Sequence, residues 1–380
     1  MKNWLKYSLV CILAVGALSA CKKDDEPAPY IPNPYDASKI IDTTGVDAPY
    51  YQGSIQNPTL DNIQELEDRK VVSIRGSLIF RDNDYSISPY EAFDFLDSIN
   101  GSLTIASDST IDKISGFSNL LFVGNDLTID RNSKATTITA FPKLTTVEGN
   151  LTVKNNEKIT SLKGFDQLTN FKGNLRIGLM PVLASLDGLN KIDSVLQLSL
   201  EQLPLITDLS GLDNLKFIEA DMIISQNDKL TSLKGLGDVT ELMRLDINQN
   251  KVLKDLNGLE DIETIDGEFR LLANDALTDL TAMSKLTKAG GINISSNANL
   301  SSLAGLENTA IGGTTDTNSL KGILQIDTNA KLTVAGMCGV AHLAQEKIDN
   351  DSFDWQVSLA NGEAVNPQQV VDACGATRRK

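Results

Sequence analysis

The chain has a single histidine, His342, so any nucleophile–base pair or zinc site that uses imidazole must be built around it. His342 sits among apolar neighbours, Val340, Ala341 and Leu343, and reads as a packed structural residue. Paired carboxylates are the remaining route to hydrolytic chemistry. The densest acidic run is "EDIETIDGE", Glu260 to Glu268, with Glu260, Asp261 and Glu263 the residues to test for polysaccharide cleavage. Its apolar and acidic positions keep to a repeat period, so it reads as a solvated face. "RDNDYS", Arg81 to Ser86, lacks the glycine and distal glutamate of a calcium loop, and no glycine-rich phosphate loop occurs. These residues predict no enzyme, no metal and no cofactor.

Charge narrows the partners. The 380 residues carry a formal net charge of −16, which repels phosphate backbones and excludes nucleic acid. Lys2 and Lys6 precede a ten-residue apolar run, Ser8 to Ala17, too short to span a bilayer, which takes roughly 20 residues. It reads as a signal peptide. Leu18, Ser19 and Ala20 before Cys21 resemble the lipobox of bacterial lipoproteins. That resemblance implies cleavage before Cys21, acylation of its thiol and membrane attachment through lipid alone. The following "KKDDEPAPYIPNP" reads as an extended tether, and its lysines followed by acids resemble surface-export signals of Gram-negative lipoproteins. Cys338 and Cys374 are left as an even pair in an exported protein and read as one disulfide.

What positions any site is a repeat. A Leu-x-Ile pattern recurs from Leu78/Phe80 through Leu127/Ile129 and Leu245/Ile247 to Leu324/Ile326, at intervals of 23 to 25 residues with one final interval of 32. Nine residues past the second strand position stands another apolar anchor, as at Ile114, Leu162, Leu209 and Leu303. A coil of about 24 residues buries some six apolar side chains worth roughly 2 kcal/mol each, against about 1–2 kcal/mol of backbone entropy per residue. One coil alone unfolds, and only stacking gives continuous apolar columns and strand pairing. The fold class expected is mostly β: a right-handed parallel β-solenoid of about 11 coils with helical caps at both ends.

After the strands comes an amide, at Asn83, Asn132, Asn156, Asn227, Asn250, Asn274, Asn297 and Asn329, with Asp108 in the same slot. An amide at a tight corner can donate to and accept from backbone groups the turn leaves unpaired, so these residues predict a structural ladder. Two units break it with Met180-Pro181 and Leu203-Pro204. Units such as "LTTVEGNLTVKNNEKITSLKGF", Leu144 to Phe165, resemble the receptor L-domain branch of the leucine-rich repeats. The resemblance implies a recognition scaffold.

The organisation expected is signal peptide 1–20, lipidated Cys21 and tether 21–50, amino-terminal cap 51–75, solenoid 76–333 and disulfide cap 334–380. Ile63 and Leu66 mark the first lid, "SPYEAFDFLDSI" (Ser88 to Ile99) a helical turn, and Val334–Ile348 a carboxyl-terminal helix. The insertion Asn308 to Ser319 reads as a projecting loop. Residues between paired anchors point outward and form the candidate partner strip: Thr128, Thr152, Arg176, Ser199, Ile223, Asp246, Arg270 and Asn293. The function expected is a monomeric, outer-membrane lipoprotein exposed on the cell surface, which binds a macromolecular partner, a protein or a glycan, through this strip. The alternative is accessory glycan capture beside an outer-membrane importer, with Tyr50, Tyr51, Tyr85 and Tyr90 as ring platforms.

Overall fold

A computed structural model describes residues 39–41, 49–81, 92–312 and 322–375, all of them in the compact unit Pro34–Lys380. The signal peptide, Cys21, the tether, Asn83, Tyr85, Tyr90 and most of the 308–319 insertion lie outside the described residues. What is described is a parallel β-solenoid of about ten turns. The Leu-x-Ile segments become strands of one 15-stranded sheet, each paired in parallel with the coil before and after it. Register follows the repeat: Leu127 lies beside Leu103 and Leu151, and Met222 beside Leu198 and Leu245.

Burial follows from alternation. In Leu151–Lys154, Leu151 and Val153 are buried while Thr152 is half-buried, as a half-exposed strand of period two requires. The second anchors, Ile114, Ile138, Leu162, Leu186, Leu209, Leu233, Leu256, Leu280 and Leu303, are each at most 3% exposed and belong to one continuous core. Two further columns complete each coil: Leu120, Leu144, Leu168 and Ile192 on one side, then Val123, Val147, Phe171 and Val195 in the short strands of a second, seven-stranded sheet and the pairs that continue it. Aromatic rings fill the early coils, with Phe93, Phe117, Phe141 and Phe165 stacked at centroid spacings of 5.5, 5.8 and 5.5 Å. Each such pair adds about 0.5–1.5 kcal/mol beyond area burial.

Both ends are closed. At the amino end Ile40–Ile41 pairs antiparallel with Tyr50–Tyr51, and the helix Leu60–Asp68 buries Ile63 and Leu66. Thr59 and Asn62 form its capping box, which satisfies two amide donors that a helix start leaves unpaired. Of Ser88–Ile99 the residues before Ala92 lie outside the described ones, and Ala92 itself is in 3₁₀ conformation. The part after it is a turn closed by Leu96 N–H donating to the Phe93 carbonyl, the same bond as in the turns at Phe117/Leu120 and Phe141/Leu144. At the carboxyl end a 3₁₀ segment, Val334–Val340, runs into the helix Ala341–Asn350, and Pro367 opens the helix Pro367–Ala373. The Cys338–Cys374 disulfide ties the first of these segments to the residue that ends the last.

Candidate functional site

The best-ordered polar chemistry in the molecule is structural. At the corner after each large-sheet strand from Leu103–Ala106 to Ile323–Asp327 one residue takes a left-handed conformation: Ser107, Arg131, Asn155, Leu179, Gln202, Gln226, Gln249, Ala273, Ser296 and Thr328, with φ between 51° and 60°. For a non-glycine residue that costs about 1–2 kcal/mol, and the turn takes the strand's last inner carbonyl out of ordinary sheet pairing. The next residue compensates. Asn250 Nδ2 donates to the Ile224 carbonyl of the preceding coil at 2.9 Å, and its Oδ1 accepts from the backbone N–H of Asn227 at 3.1 Å.

Asn274 and Asn297 repeat both contacts, and Asn329 ends this run with its Nδ2 on the Ile294 carbonyl and its Oδ1 receiving the Asn297 N–H. Asn132 and Asn156 form a separate, earlier run that starts from the Asp108 amide. These asparagines are 0–2% exposed. At the two interrupted corners Met180 and Leu203 are fully buried, and the Leu203 amide donates to Asn227 Oδ1 at 2.9 Å. Apolar packing replaces the amide there, and it leaves Leu179 41% exposed beside Pro181 and Pro204.

A second ladder went unread in the sequence. In seven successive coils the residue before the Leu anchor, Ser161, Ser185, Asp208, Ser232, Asp255, Asp279 and Ser302, accepts from the backbone N–H two positions on, at 2.9–3.3 Å. The Thr281 hydroxyl and amide hold the Asp279 carboxyl below its usual range against partial burial, with help from Thr278. Partial burial pushes the Asp208 carboxyl up, but hydrogen bonds from Ser210 and Thr207 together outweigh it and leave the group below its usual range. Where a glycine follows, as at Gly188, it is required sterically, whereas the Asp279 coil has Ala282 in that slot. Gly188 has φ +110°, and a Cβ there would stand 2.1 Å from the Leu162 carbonyl oxygen. The signal that could have found this ladder is the recurring phrase Ser/Asp-Leu-x-Gly-Leu.

The acidic run dissolves into these roles. Glu260 accepts from the Gly258 N–H at 2.7 Å, and Asp261 pairs with Lys285 at 2.5 Å, which raises the exposed lysine's pKa. Among the described residues no cluster of three or more His, Cys, Asp or Glu could hold a metal ion. His342 Nε2 donates to the Thr309 carbonyl at 2.7 Å.

The outward strip is a single row in register, Thr128, Thr152, Arg176, Ser199, Ile223, Asp246, Arg270, Asn293. Its members differ in access. Ser199 and Asp246 are buried, the first bonded to Glu201 and the second bridged by Arg270 at 2.9 Å. Arg176 is exposed, while Thr128, Thr152, Ile223, Arg270 and Asn293 are half-buried. Arg244 to Asp221 at 2.7 Å and Arg176 to Gln197 at 3.3 Å brace neighbouring coils. Exposed Leu196 and Met243 stand just before strands Gln197–Glu201 and Arg244–Asn248, and Leu179 just after strand Asn174–Gly178. Of the amino-end tyrosines, Tyr51 is fully buried and the Arg75 guanidinium lies 3.4 Å above the Tyr50 ring, so neither gives a free platform.

No family model matches the chain, and no curated protein or solved structure matches it.

Proposed function

We propose that this is a non-catalytic recognition or adhesion lipoprotein of the receptor L-domain-like leucine-rich-repeat type. It is anchored by acylated Cys21, exposed at the outer membrane surface, and binds a protein partner on the outward face of its large sheet. The observation that carries the reading is the register of that face. Rows of side chains are held in place by bonds between coils, so little conformational freedom is lost when a partner docks. Exposed Arg176, half-buried Ile223 and the apolar flanks Leu179, Leu196 and Met243 combine the residue types that carry interface energy with a polar surround.

The test is cross-linking and capture from intact cells with the full chain against Arg176→Glu/Ile223→Asp. Loss of a specific captured protein in the double variant, with unchanged thermal unfolding, is the expected result. Capture that both variants share, or protection of the chain from protease added to intact cells, overturns the proposal.

A further inference from the structure

The outward row ends in a cleft. Beyond Asn293 it continues in register through Gln325 to Gln356 on the last strand, Asp354–Val357. The chain then folds back, with Val365 N–H donating to the Val357 carbonyl at 2.8 Å and Ser358 bridged antiparallel to Ala364. The returning segment borders an open cleft of about 700 Å3.

We infer that this cleft binds a neutral saccharide of one or two rings, with Trp355 as part of its apolar wall. The indole is fixed before any ligand arrives. It is half-buried, lies 6.5 Å from the Phe353 ring, and its Nε1 donates to the Val365 carbonyl at 2.7 Å. Trp355 stands in register with Leu324 of the core column and Gln356 with Gln325 of the outward row, so the part of the indole that reaches the cleft is an apolar patch held at no further rotamer cost, which suits the C–H groups of a pyranose.

The polar groups match hydroxyls. Gln325 Nε2 donates to Asp327 Oδ2 at 2.9 Å and the Thr328 hydroxyl donates to Oδ1 at 2.8 Å, so the carboxylate is oriented with lone pairs to spare. The Gln356 carboxamide and the Ser358 hydroxyl line the same cleft and add donors as well as acceptors. A sugar hydroxyl both donates and accepts, so it can use each of these groups. The lining cation, Lys347, is engaged by Asp351 and by the Phe353 carbonyl, and Asp327 disfavours anionic ligands. A single lining carboxylate does not make a site for a hard cation. None of the residues proposed above for the protein partner is used, so the two readings stand or fall separately.

Trp4 lies in the segment proposed to be cleaved before Cys21, so Trp355 is the one tryptophan of the processed protein, and Trp4→Phe makes emission report on Trp355 alone in unprocessed protein as well. It is titrated with neutral hexoses, pentoses, N-acetylhexosamines and their disaccharides, and in parallel with nucleosides, which also stack and hydrogen-bond. The expected result is a saturable emission change with at least one sugar, in the low-millimolar range or tighter. Gln356→Ala and Asp327→Ala should each weaken that response about tenfold, the loss of one good hydrogen bond. Gln356 is exposed, so its variant keeps the test intact if Asp327→Ala disturbs the fold. No response across the sugar panel overturns the proposal. So does a response to nucleosides alone, or a sugar response that neither substitution alters.

Discussion

At the scale of single residues, the asparagine corners outweigh any one apolar contact because they solve a desolvation problem. Asn250→Ala would leave the buried Asn227 N–H and the Ile224 carbonyl without partners, each worth about 1–3 kcal/mol when unsatisfied. The expected loss is about 3 kcal/mol or more, read from chemical denaturation, and Asn250→Asp should be almost as damaging because it cannot donate. The residue before the ladder behaves in the opposite way. Ala273 holds φ 55° without a side chain that helps, so Ala273→Gly should raise stability by about 0.5–1 kcal/mol despite glycine's entropic cost. A decrease in midpoint would show that the left-handed turn carries no strain.

At the scale of the coil, the turn carboxylates set a pH dependence. Asp279 and Asp208 both have folded-state pKa values below the ordinary 3.8. Their contribution is therefore complete above that value and is lost as the pH falls through the lower, folded one. Stability should decline on acidification below about pH 4, and Asp279→Asn should flatten that decline in a pH series of thermal midpoints. The apolar skeleton of the coil was legible in the sequence because Leu-x-Ile and the anchor nine residues later recur with almost no drift. The left-handed corner was not, since Asn, which favours that region, stands at Asn155 alone, and Ser, Arg, Leu, Gln, Ala and Thr share no property that announces it. Their geometry follows from the strand before and the buried residue after, since Leu179 and Gln202 hold it where Met180 and Leu203 come next in place of an amide. The cleft was invisible for another reason: Trp355 lies about 30 residues from Gln325 and Asp327, and only the parallel pairing of the last two strands brings them together. Tyr51 and Tyr50 offer no open ring because the amino end turns the first into the core and lays Arg75 over the second, while Tyr85 and Tyr90 lie outside the described residues.

At the scale of the whole stack, stability comes from neighbours, so the ends matter most. Two of the terminal edges meet an antiparallel segment, Ile40–Ile41 at the amino end of the small sheet and the Val357–Val365 return at the carboxyl end of the large one, which denies a second copy an open parallel edge there. The disulfide spans 36 residues, a closure worth about 3–4 kcal/mol in chain entropy. Cys338→Ser should therefore expose the last coils first. Limited proteolysis should cut between Val334 and Ala373 in the variant, while cleavage near Leu103–Ala106 stays unchanged.

The interruption at Met180 and Leu203 divides the asparagine runs into Asn132–Asn156 and Asn227–Asn329. A stack welded in two lengths has a seam, and thermal breathing should begin at that seam. Deuterium should enter the amides of Asn156 and Met180 sooner than that of Asn250, with the two lengths opening as separate blocks, whereas equal uptake on both sides would mean that the sheet alone holds the coils together.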